Sequence, residues 1–360
     1  MYSYLKHLIF KINPEIAHRM AIEAIKYNCI FDYQVHEYFK PYLSQNYFDL
    51  IFDSPVGLAA GFDKNGETSG KIHLNGFGFA EVGTTTLFPQ EGNEKPRLFR
   101  LIEEEALINR LGFNNSGIHN LIENIKEDST KRKIPLGINI GPNKNSQDFI
   151  NDYLLMLEKI YENRYLFNYI TINISSPNTP GLRDMQKVDS LRDLLHSINS
   201  KVENIISNDE NSSNIKKLPI FVKISPDLNE DDMTDITHIV MAEKISGLIV
   251  SNTTIDKSDV ENPLKLQQGG LSGRPLFDKS TKLLSEIYKM TNGELFLIGV
   301  GGISTADDVI AKMRAGASLV QLYTSMIYHG PFIANKINED LVKYLQREKI
   351  DNISMLIGKN

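Results

Sequence analysis

The chain has 360 residues, 41% of them hydrophobic, enough for one large α/β domain or two ordinary ones. Its net charge of −6 argues against a nonspecific nucleic-acid binder, which needs a basic face. The single cysteine, Cys29, excludes an intrachain disulfide and a multi-cysteine metal or iron–sulfur site, and no apolar run is long enough to predict a transmembrane helix. The N-terminus lacks the ordered basic, apolar and small-residue regions of a signal peptide.

Residues 1–28 read as two short helices. Leu5, Leu8, Ile9 and Ile12 share one face at helical spacing. Asn13-Pro14-Glu15 supplies an N-cap, a proline in the first turn and an acid beside it. Ile16, Met20, Ala24 and Tyr27 continue an apolar stripe. Lys6, Lys11, Arg19 and Lys26 oppose Glu15 and Glu23, so the segment carries about +2 (4 − 2) in an acidic chain. Two readings fit: a basic amphipathic foot on a membrane surface, or two helices packed on the main domain. We divide the chain into an N-terminal segment, 1–45, and a main domain, 46–360. Residues 29–55 are aromatic-rich and read as irregular.

From Val56 the pattern becomes strand, loop, helix, repeated. The expected strands are Val56–Gly61, Phe79–Thr84, Leu136–Ile140, Tyr169–Ile174, Ile220–Ile224, Gly247–Val250, Leu295–Val300 and Leu319–Leu322. Most are near-continuous apolar runs, as suits parallel strands covered on both faces. Helical stretches such as Phe149–Asn163, Ser190–Ile206 and Ala306–Ala315 lie between them. The pattern predicts a closed (β/α)8 TIM barrel, with an open doubly wound sheet as the alternative. Pro96–Leu101 and Ala106–Arg110 read as an inserted β-hairpin. Ser207–Lys217 reads as a solvated polar loop.

Barrel ligands bind at the carboxyl ends of the strands. There the sequence places Ala60, Gly61 and Lys64, then Thr84, Asn139, Asn173 and Ser176, then Lys223, then Ser251, Asn252 and Thr253. Gly269 to Arg274, Gly299 to Gly302, and Tyr323-Thr324 follow. These last groups are glycine-rich or hydroxylated, as in barrels that hold a phosphate on backbone N–H groups. Lys64 and Lys223 at strand ends call for an anion. The amides Asn109, Asn139, Asn173, Asn178 and Asn252 suit a ligand with alternating C=O and N–H groups, such as a pyrimidine or an isoalloxazine edge. No histidine falls on the expected rim, and no serine triad, H-E-x-x-H motif, paired catalytic carboxylates or P-loop is visible.

The stretch N-I-S-S-P-N-T-P-G-L-R, from Asn173 to Arg183, joins A-A-G-F-D-K-N, I-N-R-L-G-F-N-N, V-K-I-S-P-D-L, S-N-T-T, G-G-L-S-G-R-P-L, I-G-V-G-G-I and G-A-S-L-V-Q-L-Y-T. Together, and in this order, they resemble the dihydroorotate dehydrogenase family. The N-terminal helices resemble those of its class 2, the membrane-associated, quinone-reducing branch. The resemblance implies an FMN-containing barrel that oxidises dihydroorotate to orotate in pyrimidine synthesis and is reoxidised by a membrane quinone. It implies a peripheral protein on the cytoplasmic face of the inner membrane, with no nucleic acid and no metal.

The resemblance also places residues. Ser176 matches the catalytic base. Lys64, Asn109, Arg110, Leu111, Gly112, Phe113, Asn173, Asn178, Asn252 and Thr253 match substrate-binding positions. Ala60, Gly61, Lys64, Thr84, Asn139, Asn173, Lys223, Ser251, Gly273, Gly302, Tyr323 and Thr324 match FMN positions. His18, Arg100 and Tyr323 match polar positions along the quinone tunnel, and Thr179 to Gln186 a lid. Class 1 relatives use a cysteine as base, and here that position is Ser176. The alternatives are a class 1 type enzyme using fumarate or NAD, and a non-catalytic flavin-binding peripheral membrane protein. Leu111, Ser325 and the loop at Ser207–Lys217 depart from the usual pattern.

Overall fold

The computed structural model describes residues 2–27, 29, 37–128, 132–209 and 216–359. Residues 30–36 of the aromatic-rich stretch and 210–215 of the polar loop lie outside the described residues. All eight expected barrel strands form: Val56–Leu58, Phe79–Thr85, Leu136–Ile140, Tyr169–Asn173, Ile220–Ile224, Gly247–Val250, Phe296–Val300 and Leu319–Leu322. Each pairs in parallel with its sequence neighbours, and the eighth pairs with the first. The sheet is therefore a closed barrel rather than an open doubly wound one. Closure leaves no free edge, and nearly every strand residue is buried.

The lower end of the barrel is filled by rings. Three strand glycines each stand beside an aromatic in register: Gly57 beside Phe79, Gly137 beside Tyr169, and Gly247 between Phe221 and Phe296. The missing side chain lets the ring lie across the glycine, so small and large residues interdigitate. A hairpin of Gln45–Tyr47 and Leu50–Phe52 closes this end from outside. Phe48 packs edge-on against Phe221 and Phe296, and Phe52 against Phe79. The sequence reading left this hairpin as irregular chain. Its two-residue turn, Phe48-Asp49, has φ of 57° and 59°, a conformation that Asn-Gly normally signals.

At the upper end, Leu98–Leu101 and Ala106–Asn109 form the expected hairpin. Gly270–Gly273 adds to it as a third antiparallel strand, where the sequence suggested only a glycine-rich loop. The loop after the second strand is thereby fixed to the loop after the sixth.

Helices α1 (Tyr2–Ile9) and α2 (Pro14–Lys26) both form, and the Asn13 side chain caps α2 by accepting from the Glu15 N–H. Helix α2 docks through buried Ile22 and Ile25. Glu15 takes a two-pronged contact from the Arg97 guanidinium at 2.8 and 3.0 Å, and Arg19 reaches Glu67 at 2.7 Å. Arg100 donates to the Ile12 and Phe10 carbonyls, bracing the turn between the helices. The stripe residues Leu5, Leu8, Ile16, Met20 and Tyr27 all face outward, Leu8 with 62% of its surface exposed. The pair thus packs on the barrel by one face and leaves the other apolar and bare. Among the described residues no helix is long and apolar enough to cross a membrane.

A Cβ at Gly137 would lie 2.1 Å from the Tyr169 ring. Gly137→Ala is expected to cost about 1–3 kcal/mol by overpacking, lowering the thermal midpoint by roughly 2–4 °C per kcal/mol. An unchanged midpoint in a thermal melt would contradict the ring-over-glycine packing.

Candidate active site

The carboxyl ends of the barrel strands open into one cavity. It is lined by Ala60, Gly61, Lys64 and Thr84, by Asn109, Leu111, Gly112 and Phe113 of the cap, and by Asn173, Ser176 and Asn178. Lys223, Ser251, Asn252, Thr253, Gly273, Gly302, Tyr323 and Thr324 complete this set. Four other residues singled out in the sequence lie elsewhere. Asn139 is fully buried one layer below. Arg110 turns outward, stacking on Phe99 and donating to Gln267 and the Pro96 carbonyl. His18 lines a second cavity, and Arg100 lies at the helix turn.

The polar floor is a single hydrogen-bonded network around Glu81, which is wholly buried on the second strand. The Glu81 carboxylate accepts from Asn139 Nδ2 at 2.6 Å, Gln321 Nε2 at 3.0 Å and the Thr171 hydroxyl at 3.1 Å. Asn139 Oδ1 in turn accepts from the Thr84 hydroxyl at 2.6 Å and from Asn173 Nδ2 at 3.3 Å. Asn173 Oδ1 takes the Ser175 hydroxyl at 2.9 Å, and Asn252 Nδ2 donates to Ser175 Oγ at 2.9 Å. Residues on strands two, three, four and eight, and on the loops after strands four and six, are thus fixed relative to one another by short polar contacts. Glu81 and Gln321 were not singled out in the sequence. The available signal was a polar residue inside an apolar strand run, F-A-E-V and L-V-Q-L.

Two ammonium groups sit in this cavity without a hydrogen-bond partner among the described residues. Burial pushes Lys223 below the ordinary lysine range, and the Glu81 charge partly offsets this. Lys64 is lowered to about 8, first by desolvation and then by the nearby Arg97 charge. Buried, unpaired cations are costly, so the site is built for an anionic or electron-rich ligand. Two buried cavity-lining acceptor or hydroxyl atoms, Gln321 Oε1 and Ser325 Oγ, also lack partners among the described residues. Gly301 and Gly302 adopt φ of 114° and 78°. A Cβ at Gly302 would strike the Phe277 backbone at 2.7 Å, so only glycine fits between that helix start and the cavity.

Ser176 is buried at the rim, and its hydroxyl oxygen accepts from the Asn178 N–H at 3.2 Å. No imidazole or carboxylate hydrogen-bonds to it among the described residues. A serine-triad hydrolase is therefore not the chemistry built here. The expectation of no histidine on the rim is corrected by His329. It closes the short helix after strand eight and lines the cavity, 3.2 Å from Glu105. That helical turn carries His329 back over the mouth, which strand counting does not reveal.

A second cavity lies between α2 and the barrel mouth, lined by His18, Ile22, Phe62, Lys64, Leu98, Leu111 and Tyr323, among others. Lys64, Leu98, Leu111 and Tyr323 line both cavities and form the wall between them. His18 packs edge-on against Phe62 at 5.2 Å, and Phe62 against Tyr323 at 5.7 Å. Burial, then the Lys64 charge, lowers His18 to about 3, so its imidazole is neutral at physiological pH. Tyr323 is raised by burial and stays a phenol.

The dihydroorotate dehydrogenase family model matches residues 42–345. A Rhizobium meliloti protein named dihydroorotate dehydrogenase (quinone) is 43% identical over 358 residues, covering 98% of this chain and 96% of its own. A Sinorhizobium medicae protein of the same name is 44% identical with the same coverage. Among solved structures, ligand-free DHODH from Eimeria tenella superposes with a TM-score of 0.89 at 39% identity, covering 96% of this chain and 99% of that one. The same enzyme in complex with ferulenol gives 0.88 at 40% identity, covering 96% and 95%. Family model, near-full-length relatives and fold agree: the chain belongs to the dihydroorotate dehydrogenase family, in its quinone-dependent class.

Proposed function

We propose that this protein oxidises dihydroorotate to orotate with FMN as its resident cofactor and delivers the electrons to a membrane quinone, serving pyrimidine synthesis. The observation that carries the reading is the pair of unpartnered lysines, Lys64 and Lys223, facing one cavity floored by amides. Lys223, Thr84, Asn173 and Ser251 would hold the flavin ring with Ala60, Gly61 and Lys64. Gly273, Gly302, Tyr323 and Thr324 would hold the phosphate. The orphaned Ser325 hydroxyl and the glycine cradle fit such a group. Asn139, whose polar atoms are already bonded within the protein, would act from below through Thr84 and Asn173. When bound, FMN supplies the hydride acceptor.

The chain's own residues supply the rest. Asn109, Asn173, Asn178 and Asn252 present donors and acceptors to a dihydropyrimidine ring, with Thr253 beside them. The loop Arg110–Phe113 supports Asn109, with Leu111, Gly112 and Phe113 against the ligand. Lys64 meets substrate negative charge at the wall between the cavities. Ser176 Oγ takes the proton from C5 as the hydride leaves C6. With no protein base behind it, Ser176 needs a water or the charge developing in the ring to accept that proton. The outward apolar face of α1 and α2 would rest on the membrane, making this a peripheral membrane protein. A quinone would enter the second cavity past His18 and reach Tyr323, with Arg100 fixing the helix turn.

Ser176→Ala should retain FMN and orotate but slow flavin reduction by dihydroorotate roughly 10²- to 10⁴-fold in single turnover. An unchanged rate would remove Ser176 from the role of base.

Lys64 has a lowered folded pKa, so its charge is present below about 8 and lost as pH rises through that value. Orotate affinity should therefore fall above about pH 8, by up to about tenfold per unit, and Lys64→Met should abolish this dependence. A flat wild-type titration would detach Lys64 from the bound anion.

Replacing Leu8 and Met20 together by Glu should leave flavin reduction intact while weakening vesicle binding at least about tenfold, from two lost apolar contacts. Equal sedimentation of wild type and variant with vesicles would argue against the foot.

A further inference from the structure

Arg183 and Asp227 stand in two of the sequence motifs, N-I-S-S-P-N-T-P-G-L-R and V-K-I-S-P-D-L, yet neither lines the two cavities described above. Arg183 lies in the short helical segment Leu182–Gln186 behind the rim. Its guanidinium makes three contacts in three directions. Nε donates to the Ser175 carbonyl at 3.1 Å, Nη2 to the Thr253 carbonyl at 3.2 Å, and Nη1 to Asp227 Oδ2 at 3.0 Å. Ser175 immediately precedes Ser176, and Thr253 immediately follows Asn252. One planar, always-charged group therefore joins the loop after strand four to the loop after strand six.

Asp227 is itself held from several sides. Its Oδ2 also accepts from the Ile255 N–H at 2.9 Å. Its Oδ1 accepts from the Thr254 hydroxyl and from Lys279 Nζ, the latter at 2.8 Å. The carboxylate is thus an anchor that aims Arg183. On the cavity side the same two loops are tied by Asn252 Nδ2 donating to Ser175 Oγ. The loops are clamped front and back, and the back clamp requires a rigid fork that lysine cannot reproduce.

We propose that Arg183, held by Asp227, is a positioning residue that sets Ser176 against the substrate contacts at Asn252 and Thr253. The inference rests on the proposed role of Ser176 as base. Arg183 touches neither substrate nor cofactor; it fixes the backbone from which the base and the ring contacts project. A displacement of about 1 Å between a base and its proton is enough to slow a reaction by about 10²-fold.

The test is a double-mutant cycle with the FMN-loaded protein. Single-turnover flavin reduction by dihydroorotate is measured for wild type, Arg183→Met, Ser176→Ala and the double variant, with FMN retention and orotate affinity measured in parallel. Arg183→Met should slow reduction by about 10- to 100-fold with FMN retained. On the Ser176→Ala background it should cost less than about threefold, because the group it positions is gone. Arg183→Lys, which keeps the charge but not the fork, should remain defective. Asp227→Asn serves if Arg183→Met does not fold, and should show the same dependence on Ser176. A full Arg183→Met or Asp227→Asn loss on both backgrounds overturns this inference alone, since the effect then bypasses Ser176. Equal rates for wild type and Ser176→Ala overturn the base assignment and this inference with it.

Discussion

The buried Glu81 carboxylate governs the geometry of the upper barrel. It lies where strands two, three, four and eight converge, and it receives donors from Asn139, Thr171 and Gln321. A buried carboxylate is tolerable only when well supplied with donors, so each of these side chains is held in one orientation. Their remaining atoms then set the next layer: Asn139 orients Thr84 and Asn173, and Asn173 orients Ser175 and Asn252. Lys223, in register with Asn173, is lowered by burial, an effect that the Glu81 charge opposes. The floor is rigid because the barrel is closed, and it is polar because strands two, three, four, five and eight contribute Glu81, Asn139, Thr171, Asn173, Lys223 and Gln321 to the barrel interior.

The two ends of the barrel solve opposite problems. Below, Gly57, Gly137 and Gly247 make room for rings, and the Gln45–Phe52 hairpin seals them, giving a dry apolar base. Above, the cap sheet covers the strand-end cavity, and α2 lines the second cavity beside it. Helix α2 has two duties. Through Ile22, Ile25 and the Glu15–Arg97 pair it becomes part of the barrel mouth, and through Ile16 and Met20 it presents an apolar surface outward. Lys64, Leu98, Leu111 and Tyr323 are shared by both cavities, so a ligand in one lies a single side chain away from a ligand in the other.

The barrel was legible because each strand is a short apolar run bounded by turn residues, and because most cavity-lining residues follow directly on those runs. What escaped had physical causes. The Phe48-Asp49 turn adopts left-handed φ values without glycine or asparagine, its strain offset by packing Phe48 among other rings. Gly270–Gly273 has little strand propensity and is a strand only because the hairpin offers it an edge. The direction of the N-terminal stripe could not be read, since α2 carries apolar residues on both faces and only docking decides which is covered. Arg183 and Asp227 stood inside quoted motifs, but they lie 44 residues apart, and Thr253 lies 70 residues from Arg183, so only the fold brings them together. Neutral His18 follows likewise from burial beside Lys64 rather than from any local pattern.

Two adjoining cavities with a shared wall fit the proposed function, in which one flavin would serve two half-reactions. The most direct measurement is an anaerobic visible spectrum of the purified protein, followed through addition of dihydroorotate and then of a short-chain ubiquinone. Bleaching of the flavin band by dihydroorotate and its recovery on adding quinone is the expected result. Bleaching that fumarate or NAD reverses while quinone does not would contradict the quinone-dependent assignment. A flavin-loaded protein that dihydroorotate fails to bleach would contradict the substrate itself.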